Sequence, residues 1–139
     1  VTRVIIDTGP IVALLNRRDS RHAWVRDVLD AIEPPVFTCE AVVSEACFLL
    51  GRFAGGPAAV LELLAKDVLI IDFQMRSEID ALQVLMRKFA SVPMSLADAC
   101  LVRMAELHVE STIITLDADF RVYRRNRRHV IPTIMPSGA

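Results

Sequence analysis

Residues 4–16 read VIIDTGPIVALLN, and the two halves of this stretch demand different backbone conformations. Val4, Ile5 and Ile6 continue from Arg3 as a short β-branched run, which fits a strand over residues 3–6. Thr8-Gly9-Pro10 supplies turn residues, and the apolar segment 11–15 is too regular for a loop, so the order is strand, tight turn, helix. The same alternation runs outward along the chain. A helix capped by Asp19 or Ser20 extends to about Ile32, with Trp24, Val25, Val28, Leu29 and Ile32 at helical spacing, and Pro34-Pro35 stops it. A strand over 36–38 follows, then a helix capped by Thr38 that runs through Leu50 to Gly51, and a helix that restarts at Gly55-Gly56-Pro57 and reaches Lys66. Further on come a strand over 68–71, helices from Ser77 to about Ala90 and from Ser95 to His108, a strand over 111–116, and a last strand over 130–134. Short apolar strands alternating with helices predict a central parallel sheet covered on both faces, a three-layer α/β/α sandwich. With 139 residues and neither an internal repeat nor a linker, one domain over residues 1–139 is expected.

Composition removes several classes of function. Hydrophobic residues make up 53% and charged residues 24%, which excludes a disordered or collagen-like chain. The longest apolar stretches, 4–16 and 89–102, are broken by Asp7 and Asp98 and are too short to span a bilayer. Arg3 before an apolar run resembles a secretion signal, but Asp7 lies inside the run and no small-residue cleavage site follows, so no membrane association and a cytoplasmic location are expected. Cys39, Cys47 and Cys100 are odd in number and form no CxxC, which predicts buried reduced thiols rather than a disulfide framework or a zinc knuckle.

The formal net charge of −1 conceals a division by position. Five arginines and no acid lie after Phe120, leaving −6 over residues 1–119 and +5 over the last twenty. Arg121, Arg124, Arg125, Arg127 and Arg128 form a basic strip whose guanidinium forks suit phosphate oxygens, and Tyr123 among them is placed to stack on a base. A plain solvated face is the alternative reading of this strip.

Three carboxylates stand out against the apolar background. Asp7 is the only charge in VIIDTGPIVALLN, Glu45 the only one in AVVSEACFLLG, and Asp98 the only one in FASVPMSLADACLV. An unpaired carboxylate in a packed interior costs several kcal/mol, against about 5–15 kcal/mol of net stability for a whole domain. Asp117 and Asp119 follow the strand STIITL. In parallel α/β folds, strand C-termini and helix N-termini meet at one edge of the sheet. Asp7 at the end of the first strand, Asp98 in the first turn of its helix and Asp117 or Asp119 after a later strand therefore converge there. Glu45 lies nearly two turns into its helix, roughly 10 Å along the axis, and spacing alone does not bring it to that edge.

Each acid also has an ordinary reading. Asp98 completes a capping box with Ser95, Asp7 and Asp117 are acceptable turn acids, and Glu45 can face solvent from a buried helix. Their conjunction favours a hard-ligand site for Mg²⁺ or Mn²⁺, and such sites act on phosphates. Phosphodiester hydrolysis is the reaction that follows. A second class, a catalytically silent RNA- or protein-binding module that keeps the acids as a structural ion site, predicts metal-dependent stability without cleavage. A phosphatase with an aspartyl intermediate usually carries DxD after the first strand, whereas Gly9 stands there. No GxxxxGK[ST] loop is present.

The chain resembles the PIN-domain ribonucleases, and within them the VapC-type toxins of bacterial toxin–antitoxin systems. DTGPIVALLN, SEACFLL, SLADACLVRMAE and TLDADF carry the resemblance, in the family's order and approximate spacing, over nearly the whole chain, and RRDSRHAW looks like one branch of it. The resemblance implies a PIN-like nuclease domain in which Asp7, Glu45, Asp98 and Asp117 form an acidic metal-binding quartet. Asp119 is an accessory or alternative ligand, and Thr115 and Asn16 match supporting polar positions. It further implies Mg²⁺- or Mn²⁺-dependent cleavage of RNA, a homodimer, and inhibition by a cognate antitoxin protein.

Overall fold

The computed structural model describes residues 2–138. Its centre is β1 (Arg3–Ile6), paired in parallel with β4 (Ser111–Ile114) on one side and with β2 (Val36–Thr38) on the other. Beyond β2 lies β3 (Leu69–Ile71), and beyond β4 lies β7 (Thr133–Ile134), giving a five-stranded sheet in the order β3-β2-β1-β4-β7 with every pairing parallel. Ile5 and Ile6 are both fully buried, as are Ile113 and Ile114. Successive strand residues point to opposite faces, so both faces of the sheet are covered, as a three-layer sandwich requires. The covering helices are α1 (Thr8–Leu15), α2 (His22–Asp30), α3 (Glu40–Leu49), α4 (Gly56–Ala65), α5 (Ile79–Lys88) and α6 (Leu96–Leu107). Cys39 and Cys100 are buried free thiols, as expected, but Cys47 is only half-buried.

Several boundaries differ from the sequence reading, each for a local reason. Thr8-Gly9-Pro10 forms no separate turn but is the first turn of α1, where proline's missing N–H costs nothing, and Asp7 is the N-cap. Arg21, not Asp19 or Ser20, precedes α2, and Asp19 Oδ1 instead accepts from the Arg21 amide at 2.8 Å. Thr38 does not cap α3, because its hydroxyl is buried and donates to the Ile6 carbonyl at 3.0 Å; Cys39 takes the N-cap position. The helix expected from Ser77 begins with a 3₁₀ turn, Met75–Glu78. The single strand expected over 130–134 is split. His129–Val130, β6, pairs antiparallel with β5 (Arg124–Arg125), while Thr133–Ile134 joins the main sheet. Pro132, which has no amide hydrogen, sits at the break, and its carbonyl accepts from Ile113 at 3.0 Å.

Candidate active site

The parallel strands deliver their C-terminal ends to one edge. There the Asp7 amide still donates to the Ile114 carbonyl at 3.0 Å, which holds the end of β1 beside the end of β4. Asp7 is buried, with 8% exposure. Its Oδ1 accepts from the Thr8 amide at 2.7 Å and its Oδ2 from the Thr115 hydroxyl at 2.7 Å. Thr115, itself fully buried, also accepts from the Asp117 amide at 3.0 Å. One hydroxyl thus ties the first carboxylate to the backbone that carries the next. Asp117 Oδ1 accepts from the Asp119 amide at 2.9 Å and starts the 3₁₀ turn Ala118–Arg121.

Asp98 comes from α6. Ser95 Oγ accepts from the Asp98 amide at 3.0 Å while Asp98 Oδ2 accepts from the Ser95 amide at 3.2 Å, a complete capping box. Serving as a cap does not remove Asp98 from the cluster. The same Oδ2 accepts from the Tyr123 hydroxyl at 2.9 Å, and the charges of Asp98 and Asp117 both act on Asp7. Burial, with smaller contributions from the Asp98 and Asp117 charges, pushes the Asp7 carboxyl up to about 6 against the lowering effect of its Thr115 and Thr8 hydrogen bonds. Asp119 is raised chiefly by the neighbouring Asp117 charge, then by burial and by Asp98. Asp98 and Asp117 therefore lie within electrostatic reach of both Asp7 and Asp119.

Glu45, which helical spacing left two turns away, approaches through helix packing. Its side chain is exposed on α3, and its Oε2 accepts from Thr8 Oγ1 at 3.4 Å, next to Asp7. Asn16 lies elsewhere. It is the C-cap of α1, roughly 13 Å along the helix axis from Asp7, and its Oδ1 accepts from the Arg18 amide at 3.1 Å.

Among the described residues, no three His, Cys, Asp or Glu side chains form a closed site for an ion. The donor set is nonetheless all oxygen, anionic and mutually repelling. A hard divalent ion such as Mg²⁺ usually keeps several waters and takes only one or two carboxylates directly, so the residues fit such an ion.

The basic strip divides in two. Arg121, Arg127 and Arg128 are exposed. Arg124 turns Nη1 onto the carbonyls of Arg121, Val122 and Tyr123, at 2.6, 3.0 and 2.9 Å. Arg125 is buried, with Nη1 3.3 Å from the Ala105 carbonyl and 3.5 Å from Ser111 Oγ. Arg125 braces the fold from inside, whereas Arg124, half-buried, folds back over the turn that precedes it. Tyr123 is fully buried between Phe89 and Phe120, with ring centroids 5.3 and 5.2 Å away, both edge-on, so it presents no face for a base to stack on. Its link to Asp98 was not legible in the sequence, where the two lie 25 positions apart. The one signal available was a lone tyrosine amid arginines.

Comparison with known proteins bears on the family and the fold. The chain is 28% identical over 116 residues to ribonuclease VapC26 of Mycobacterium tuberculosis, an alignment covering 82% of this chain and 86% of the relative. Among solved structures, M. tuberculosis VapC20, described as a sarcin–ricin loop cleaving toxin, superposes with a TM-score of 0.74 at 23% identity, covering 86% of this chain and 93% of that one. The VapBC2 complex of Rickettsia felis, bound to a promoter DNA fragment, gives 0.63 at 11% identity, covering 96% and 98%. The two structures share the fold, and the family profile described as PIN domain matches residues 4–126, spanning every strand of the main sheet but the last and all the carboxylates of the cluster. The chain belongs to the PIN domain family.

Proposed function

We propose that residues 1–139 act as one PIN-like nuclease domain, a metal-dependent endoribonuclease that hydrolyses RNA phosphodiester bonds as the toxin of a toxin–antitoxin pair. The observation that carries this reading is the gathering of Asp7, Asp98, Asp117 and Asp119 at the C-terminal edge of the sheet, with Glu45 reaching Thr8 beside them. Mg²⁺ or Mn²⁺ would be held by one or two of Asp7, Asp98 and Asp117 directly and by the remaining acid through bound water, with Glu45 and Asp119 at the margin. When bound, such an ion orients the scissile phosphate, lowers the pKa of a water and offsets charge on the leaving oxygen. The chain's own part is positional. Thr115 and the Thr8 amide fix both oxygens of Asp7, the capping box fixes Asp98, and Asp117 is set by its own turn. Arg127 and Arg128, on the exposed tip of the β5–β6 ribbon, offer forks for the RNA backbone, as does Arg121, exposed at the end of the preceding 3₁₀ turn.

An antitoxin partner and a homodimer belong to the same reading. Phe48, Leu49 and Phe53 expose 82%, 45% and 43% of their surface around a shallow groove also lined by Val12 and Arg52, an apolar face that suits a protein partner. Ile79 and Val84 on α5 are a second exposed pair. No helix among the described residues is long and apolar enough to cross a membrane.

The decisive experiment measures RNA cleavage with Mg²⁺ and with Mn²⁺ in the wild type, Asp7→Asn and Asp98→Asn. Cleavage by the wild type and a loss of at least 100-fold in each variant are expected, since each removes a carboxylate from the site. Metal-dependent cleavage that survives both substitutions would sink the proposal. Binding without cleavage under every condition would leave the silent module in its place.

A further inference from the structure

We propose that Tyr123 is a positioning residue for this site, its buried hydroxyl fixing the direction in which Asp98 presents its carboxylate to the other acids. The inference rests on reading the cluster as a divalent-cation site. It begins from a cost. A hydroxyl buried without a partner is unfavourable, and Tyr123 has no exposed surface in its cage with Phe89 and Phe120. A phenylalanine would fill that aromatic cluster without incurring the cost. The hydroxyl's bond goes to Asp98 Oδ2 at 2.9 Å, so Asp98 is what the hydroxyl serves.

Asp98 does not need this bond to cap its helix, because the reciprocal pair with Ser95 is already complete. That pair alone ties the carboxylate only to its own helix turn. Tyr123 adds a second donor to the same oxygen from a different element, the segment between the 3₁₀ turn Ala118–Arg121 and β5. Two donors from different directions fix a carboxylate that one would leave free to rotate. The segment is itself held, since Arg124 Nη1 reaches the Tyr123 carbonyl and the two carbonyls before it. Partners that orient a metal-binding carboxylate usually matter about 10–100-fold in metal affinity or activity.

Tyr123→Phe keeps the ring and removes the hydroxyl, and three readouts on the full chain separate positioning from mere packing. Mn²⁺ titrated calorimetrically into metal-free protein should bind about tenfold or more weaker in Tyr123→Phe than in the wild type. RNA cleavage should show a reduced kcat at fixed subsaturating Mn²⁺ with the RNA KM within twofold of the wild type. In metal-free urea unfolding, Tyr123→Phe should lower the midpoint in the wild-type background but not in Asp98→Ala, which places the effect on the Tyr123–Asp98 bond. A lowered midpoint with Mn²⁺ affinity within twofold overturns the proposal, as does an equal drop in midpoint in both backgrounds. If the wild type takes up no Mn²⁺, the cation-site reading fails and this inference falls with it. That outcome differs from one in which wild type and Tyr123→Phe bind equally well.

Discussion

Asp7 at neutral pH holds a negative charge in a buried position beside two other carboxylates, a state the folded protein tolerates at a cost. Its carboxyl is pushed up to about 6 from 3.8. A carboxyl raised in the folded state contributes stability below the unfolded pKa, and that contribution is lost as pH rises from about 4 through about 6. The loss is on the order of 3 kcal/mol for a shift of this size. In metal-free protein, Asp7→Asn should therefore gain stability over the wild type at pH 8, with the difference shrinking toward pH 4; urea unfolding at both pH values checks it. Added Mg²⁺ or Mn²⁺ should raise the wild-type melting temperature at pH 8 and have little effect on Asp7→Asn. A stability difference independent of pH would mean that Asp7 bears no such cost. Asp7 was conspicuous in the sequence because it alone was charged in its segment. Its partner Thr115 entered only through the family resemblance, because hydrogen bonding across 108 positions depends on which strands are neighbours.

At the scale of elements, the β5–β6 ribbon carries the clearest revision. Five arginines in sequence looked equivalent, but the two consecutive residues of β5 point to opposite sides, Arg125 inward onto the Ala105 carbonyl and Arg124 back over the carbonyls of the turn before it. The tip is pinned to the helices behind it, since the Asn126 amide donates to Glu106 Oε2 at 2.7 Å and Lys88 donates to the Arg127 carbonyl. Arg127 itself has φ +80°, a left-handed conformation that costs a non-glycine residue about 1 kcal/mol. Arg127→Gly should raise stability by about that amount while weakening RNA binding. Replacing Arg127 and Arg128 together should flatten the slope of log affinity against log salt by about 0.7 per lost phosphate contact on single-stranded RNA. Arg125→Ala should instead lower the melting temperature and leave the slope unchanged. Titrations at several salt concentrations distinguish the two, and a slope unaffected by the tip variant would make these arginines an ordinary solvated surface.

For the whole molecule, the apolar face around Phe48 and Phe53 lies on α3 and the turn that follows, one helical turn beyond Glu45, and so adjoins the candidate site without belonging to it. Phe48→Asp should leave metal-dependent RNA cleavage within about twofold of the wild type, because Phe48 is already 82% exposed and supports little of the core. It should at the same time weaken inhibition by a bound antitoxin, read as residual cleavage in a titration with that protein. Undiminished inhibition would move the partner surface elsewhere. The sequence by itself determined the alternation of strands and helices, the parallel sheet and the identity of the isolated acids, because hydrophobic periodicity and lone charges are local properties. Only the tertiary structure decided that Glu45 reaches Thr8, that Tyr123 donates to Asp98 in place of meeting a base, and that Arg125 is buried against Ala105 and Ser111. Each of those depends on how elements far apart in the chain pack together, and neither spacing nor composition records that.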